Sequence, residues 1–142
     1  MKSLLVLTAA AAVIALALPI ASFAQRPMRG GYGGLYDVQS VQTVSGEVMS
    51  VEKIAYGRRG YYGVHLLLKS AEGDLSVHLG PSWFIDRQPM KIEPHDVIEV
   101  TGSRVIYAGK PVLIAAQVRK GDESLKLRTA DGLPLWRGPR AR

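Results

Sequence analysis

The sequence predicts an all-β protein in which five or six short strands form a small barrel, with one short helix between the third and fourth strands. Two observations support this fold class. After residue 24, no segment sustains an apolar period of 3.6 residues over three helical turns, whereas several segments alternate apolar and polar residues. Short stretches containing glycine or proline separate the alternating segments, as turns do in all-β domains. The length of 142 residues suits one such domain.

Residues 1–24 are expected to be a secretory signal peptide. Lys2 provides a positive start, residues 4–21 form an apolar run, and Ser22 and Ala24 place small residues where a signal peptidase reads. Cleavage after Ala24 would give a periplasmic or secreted protein with no stable membrane span. The alternative is an uncleaved anchor, because the apolar run approaches the roughly 18 residues that span a bilayer.

The remaining chain divides into three predicted parts. Residues 25–40 contain four glycines and little apolar content, which is typical of a flexible lead-in. Residues 41–136 carry the alternating segments and are expected to form the barrel domain. Residues 137–142, with three arginines, are expected to be a basic tail.

Composition excludes several functions. The chain has no cysteine, so thiol catalysis, thiolate metal sites, iron–sulfur clusters and covalently attached c-type haem are excluded. The net charge of +6 favours anionic partners, although a charged surface also serves solubility. For an exported protein we expect an anionic ligand or an envelope protein as the partner rather than nucleic acid.

The first three predicted strands form the N-terminal half of the barrel. Strand one covers residues 41–54, and its alternation slips between Gly46 and Ser50, which predicts a β-bulge. Strands two (61–69) and three (75–80) flank a hairpin turn. Their inward faces are predicted to carry Val64, Leu66 and Leu68, and Leu75, Val77 and Leu79. His65 and His78 are predicted to point outward, close to a cross-strand pair.

The C-terminal half begins with residues 81–88, predicted to form one or two helical turns that bury Trp83 and Phe84. Strand four follows at 95–105 and strand five at 111–121. Strand five is predicted to present Val112, Ile114, Ala116 and Val118 to the core. A sixth strand is predicted at 124–128, after which Leu133, Leu135 and Trp136 are expected to lie back on the barrel.

Three strands, a short helix and two further strands are the element order of the OB-fold, a small Greek-key barrel. Another small barrel or a two-sheet sandwich is the alternative. The segments "VSGEVMSVE", "LSVHLGPSWF", "DVIEVTGSRV" and "AAQVRKG" resemble the bacterial periplasmic OB-fold family. The span 41–136 also resembles the OB-like C-terminal domain of certain magnetosome-associated membrane proteins. These resemblances imply a non-enzymatic module that binds a ligand or acts in a stress response.

The predicted ligand-binding residues are Arg58, Arg59, Tyr61, Tyr62, His65 and His78. The first four cluster at the loop between strands one and two, which in OB-folds flanks the ligand face. Arginine and tyrosine side chains can stack on rings and pair with anions. The alternative is a solvated loop whose tyrosines pack on the barrel.

Catalysis and metal binding have little support in the sequence. Nucleophile-elbow, phosphate-loop and zinc-protease motifs are absent. His65 and His78 could begin a metal site, but His95 has no evident path to them, so no metal or cofactor is expected. We therefore expect a monomeric, non-enzymatic binding module for an anionic or ring-bearing ligand or a protein partner. The alternative is an accessory or assembly component of a periplasmic redox or metal-handling complex, such as a magnetosome-like one.

Overall fold

The computed structural model describes residues 34–137, which contain six strands and one short helix. The strands are β1 (Val41–Tyr56), β2 (Tyr61–Ser70), β3 (Gly73–Pro81), β4 (Val97–Tyr107), β5 (Lys110–Lys120) and β6 (Glu123–Lys126). The helix α1 (Ser82–Ile85) connects β3 to β4, and a short 3-10 turn covers Val38–Ser40. The prediction of an all-β barrel with a helix between the third and fourth strands is confirmed.

The expected signal peptide, residues 25–33 of the expected lead-in and residues 138–142 of the expected tail lie outside the described residues. Among residues 34–137, no helix is both long and apolar enough to cross a bilayer.

One sheet closes into a ring. Its hydrogen-bonded order is β3-β2-β1-β4-β5-β6, and a parallel pairing between β3 and β5 joins the two halves. Strand β1 serves both halves, because residues 41–47 pair with β4 and residues 46–56 pair with β2. A Cβ at Gly46 would overlap the Lys69 carbonyl, so glycine permits the close approach where the two pairings meet.

The predicted bulge in the first strand is confirmed by a register shift between Val48 and Ser50. An extra residue in one strand bends that strand and increases its twist. This bend follows the point at which β1 passes from β4 to β2, so the bulge helps the sheet to close.

The predicted inward faces of the second and third strands are confirmed. Val64, Leu66, Leu68, Leu75, Val77 and Leu79 all belong to the main core, together with Val48, Met90, Ile98, Val100, Leu113, Ala115, Val118, Leu125 and Leu127. Burial of these side chains inside the ring is the principal driving force for the fold.

The prediction for strand five is wrong in part. Leu113 and Ala115 face the main core, whereas Val112 and Ile114 form a second cluster with Leu35. The pairing with β4 shifts register after Ala115, so that Ala116 is an extra residue. This bulge inverts the alternation, which explains why Val118 also faces the core although it is in phase with Val112.

Residues 34–40 of the expected lead-in lie against the outside of the barrel. Leu35 packs in the second cluster, and the Asp37 amide donates a hydrogen bond of 2.9 Å to Ser103 Oγ. The hydroxyls of Ser40 and Ser103 are 2.8 Å apart. These contacts fix the 3-10 turn to β4 immediately before β1 begins.

The helix is a single turn, which agrees with the prediction of one or two turns. The predicted burial of Trp83 is wrong, because this side chain is 45% exposed. Phe84 and Ile85 pack against the core as partly buried residues. Successive residues of a helix point about 100° apart, so a one-turn helix cannot direct Trp83 and Phe84 to the same side.

Candidate functional site

Two histidines stack on the outer face of β2 and β3. His65 and His78 are direct cross-strand partners, with ring centroids 3.8 Å apart and planes within 8°. Tyr107 meets the His78 ring edge-on, at a centroid distance of 5.6 Å. The register therefore confirms the predicted pairing of the two histidines.

His78 points away from the main core as predicted, but it is not exposed to solvent, since only 6% of its surface is accessible. Contacts between distant segments of the chain explain this burial. His78 pairs with Ile114 in the parallel β3–β5 ladder, which brings the end of the β4–β5 hairpin close. Tyr107 of β4 then covers a part of the His78 ring that would be open in an isolated β2–β3 hairpin, where only His65 stacks on it.

Burial lowers the pKa of both histidines. The pKa of His78 falls to about 4, first because burial disfavours the charged ring and second because His65 is adjacent. Burial also lowers the pKa of His65, and Glu52, its cross-strand neighbour in β1, partly opposes that shift. At neutral pH both rings are therefore neutral and stack without charge repulsion.

The stacked geometry does not suit a shared metal ion. Imidazole nitrogen lone pairs lie in the ring plane, and the two planes are nearly parallel. A zinc ion needs about 2.0–2.1 Å to each nitrogen. An ion in the plane of one ring would lie well outside the plane of the other. Residues 34–137 contain no group of three or more histidine, aspartate or glutamate side chains that could hold a metal ion.

A cavity of about 380 Å³ opens beside the histidine pair. Its lining consists of Tyr56, Gly63, His65, His78, Gly80, Pro81, Arg128, Pro134, Trp136 and Arg137. This volume lies within the roughly 300–1,000 Å³ of small-molecule sites, and the aromatic lining is typical of them. The lining contains two arginines and no carboxylate, so the cavity favours negative charge.

Arg128, which sequence analysis did not identify, is the least expected member of this lining. It follows β6 and forms an isolated bridge with Pro134, so the segment after β6 folds back over the barrel. The side chain is 6% exposed, and its Nη1 donates a hydrogen bond of 3.0 Å to the Gly132 carbonyl. In the sequence this arginine stands before a turn and resembles a surface residue. No local signal reveals its burial.

Trp136 closes one side of the cavity. It packs on Gly80, where a Cβ would lie 2.8 Å from the indole ring, and it contacts Phe84 at a centroid distance of 5.5 Å. The expectation that Trp136 lies back on the barrel is confirmed. The same expectation is wrong for Leu133 and Leu135, which are exposed on the turn that brings Trp136 back.

The other predicted site residues lie on the β1–β2 hairpin tip, defined here as residues 56–62. Arg58, Arg59, Tyr61 and Tyr62 are all exposed. No ion pair among residues 34–137 involves either arginine. Tyr56 stacks on Tyr61 at 6.1 Å and also lines the cavity. The structure therefore separates the predicted residues into a hairpin tip and a histidine pair, which Tyr56 connects.

These features define a small all-β barrel protein with a basic aromatic hairpin beside a ligand-sized cavity. The chain belongs to the MamS/MamX magnetosome protein family, whose sequence model matches residues 40–125. The match begins at the end of the 3-10 turn and covers all of the barrel except the last residue of β6. Arg128 and Trp136 lie beyond it. No curated protein matches the chain.

Proposed function

We propose that this protein is an exported, monomeric and non-enzymatic accessory component of a magnetosome-type assembly, which binds a protein partner through the hairpin tip. Membership of the MamS/MamX family supports the accessory role. The signal-like sequence of residues 1–24 supports export to the periplasm.

The hairpin tip is the observation that carries the proposal. Its tyrosines and arginines are residue types enriched at protein interfaces, where they frequently dominate the binding energy. Arg58 and Arg59 form no ion pair with another described residue, so they are available to a partner. The partner is therefore expected to present acidic and apolar groups.

The chemistry of the cavity supports a non-enzymatic role. The histidines are its only candidates for general acid–base catalysis near neutral pH, and the lining contains no serine, threonine or carboxylate for them to activate. The cavity therefore lacks the serine, threonine or carboxylate that a histidine base would activate in hydrolysis.

Capture from envelope extracts of the native host tests the proposal. The purified protein is compared with a variant that carries Arg58→Ala, Arg59→Ala, Tyr61→Ala and Tyr62→Ala. We expect one specific envelope protein to be retained by the parent chain and lost from the variant. Because the two arginines are expected to pair with acidic groups of the partner, retention should weaken as salt is raised.

The matched control replaces Lys69 and Lys110 by alanine. Both are exposed lysines outside the hairpin tip, so the control also removes two positive charges. It should retain the partner in full. Equal loss of the partner from both variants would indicate a nonspecific charge effect, and unchanged capture by the hairpin variant would contradict the proposal.

A second candidate function is binding of a small ligand in the cavity. The observation that favours it is the 380 Å³ space between the histidine pair, Trp136 and two arginines. This function is compatible with partner binding, because the cavity and the hairpin tip share only Tyr56.

A further inference from the structure

We propose that the cavity binds a small organic anion with a flat apolar body, and that Arg128 holds the carboxylate or phosphate group of this ligand. The inference specifies the ligand class of the second candidate function and does not depend on partner binding by the hairpin tip.

Arg128 is a buried cation without an anionic partner. Only 6% of its surface is exposed, yet no carboxylate of residues 34–137 lies within ion-pair distance of it. A buried charge is costly unless it is paired and hydrogen-bonded. An arginine at this buried position is explained if an anion completes the site when the protein acts.

Some N–H donors of the Arg128 guanidinium form no hydrogen bond with the described residues. Of its five N–H groups, one bonds the Gly132 carbonyl, and buried Nε has no hydrogen-bond partner among the described residues. The rings of Tyr36 and Trp136 lie 5.4 and 5.0 Å from the guanidinium carbon. These rings help to hold the guanidinium in place but accept no conventional hydrogen bond. The remaining N–H donors can therefore bind an oxyanion.

The charges around the cavity also favour a bound anion. Arg137 lines the cavity too and is close enough to lower the pKa of Arg128. Burial is the largest cause of the lowered pKa and Tyr36 partly opposes it, and the resulting pKa of about 10 keeps Arg128 charged at neutral pH. The two neutral histidines add no negative charge. Glu52, next to His65, does not line the cavity. A bound anion would offset the repulsion between the arginines.

The remaining walls indicate the shape of the ligand. Tyr56, Trp136 and the stacked histidines provide flat surfaces, and an inorganic ion alone would leave much of the 380 Å³ unfilled. Aromatic walls with a few convergent polar groups are typical of sites for small organic molecules. We therefore assign the arginines to the acidic group and the ring surfaces to the body of the ligand.

Arg128 also borders a more open groove of about 610 Å³, where Lys126 is the second cation. The two spaces share Arg128 but have different second cations, namely Arg137 in the cavity and Lys126 in the groove. Substitutions of these two residues can therefore locate a bound anion.

Three probes test the inference on the intact protein by thermal unfolding at constant ionic strength. They are phenyl phosphate, inorganic phosphate as the acid without a ring, and phenol as the ring without an acid. A ligand that binds only the folded state raises Tm with its concentration. We expect the largest rise with phenyl phosphate, a smaller rise with phosphate and none with phenol.

The variants are Arg128→Gln, Arg137→Gln and the control Lys126→Gln. We expect affinity for phenyl phosphate to fall at least tenfold in Arg128→Gln and severalfold in Arg137→Gln, while Lys126→Gln binds like the parent. If Arg128→Gln does not fold, the Nε–H resonance of Arg128 in the parent protein replaces that measurement, and phenyl phosphate should shift it.

Several outcomes would overturn the assignment. A Tm rise that phenol reproduces would show binding of the ring alone, and absence of any rise would show that Arg128 is purely structural. Loss of binding in Lys126→Gln but not in Arg137→Gln would place the anion in the groove. Failure of partner capture would leave this inference intact, because the hairpin variant should still bind phenyl phosphate.

Discussion

At the scale of single residues, burial decides what the three histidines can do. His78 and His65 are stacked and have lowered pKa values, whereas the His95 ring is largely exposed beside Glu47, with 3.3 Å between Nδ1 and Oε1. The same side chain is thus a neutral packing element at one position and a surface group at another. This difference has a measurable consequence for stability.

Acidification should destabilise the protein through His78. An unfolded histidine has a pKa near 6.5, and that of folded His78 is about 4. Between these values the unfolded chain binds more protons, so this contribution to the free energy of unfolding is complete above pH 6.5 and is lost as pH falls towards 4. The shift corresponds to about 3 kcal/mol. Urea unfolding between pH 7 and pH 4.5 covers most of this range and should show a loss of about 2 kcal/mol.

His78→Gln provides the comparison, because glutamine does not titrate in this range. The variant should lose a large part of the pH dependence. If His78→Gln and the parent chain lose stability in parallel, the pH dependence belongs to other groups and this explanation is wrong.

At the scale of elements, α1 and the segment after β6 complete the barrel from outside the sheet. Phe84 and Ile85 from α1 pack against the core, and Trp136 from the C-terminal segment contacts Phe84. Trp83 instead lies on the solvent side, with Arg87 5.8 Å from its ring. The two adjacent aromatics therefore have different energetic roles.

Alanine substitutions separate the two aromatics of α1. Trp83→Ala should lower the free energy of unfolding by about 1 kcal/mol or less, as substitutions of exposed residues generally do. Phe84→Ala should cost about 2–3 kcal/mol, somewhat below the 3–5 kcal/mol of a fully buried phenylalanine. Denaturant unfolding of both variants provides the comparison. A larger loss in Trp83→Ala than in Phe84→Ala would contradict the packing of the helix.

At the scale of the whole molecule, the chain combines a barrel that the family model matches with a C-terminal segment outside that match. The barrel carries the histidine pair and the hairpin tip, and residues 128–137 complete the cavity. A ligand in this cavity would therefore contact residues outside the family match as well as residues of the barrel. The proposed partner binding requires the protein to reach the compartment of its partner.

Export should leave a defined N-terminus. If residues 1–24 are a cleaved signal peptide, mass spectrometry of the protein from its native host should find a mature chain that begins at Gln25. Replacement of Ala24 by a bulky residue such as Phe should impair cleavage, because signal peptidase requires a small side chain there. Recovery of the uncleaved N-terminus from membrane fractions would support the anchor instead.

The sequence determined those features that depend on local pattern. Alternation along β2 and β3 identified their core faces and the histidine pairing, and the phase slip after Gly46 identified the bulge of β1. These predictions succeeded because side-chain direction in a regular strand repeats every two residues. The hairpin tip was found because its arginines and tyrosines are adjacent in sequence.

Only the tertiary structure decided which outward-facing residues become buried. The β3–β5 pairing and the β4–β5 hairpin cover His78, the extra residue Ala116 reverses the face of β5, and the segment after β6 buries Arg128. Each depends on contacts between segments far apart in the chain, which no local period encodes. The cavity has the same origin, because its walls come from residues 56–81 and 128–137, which meet only when the barrel has closed.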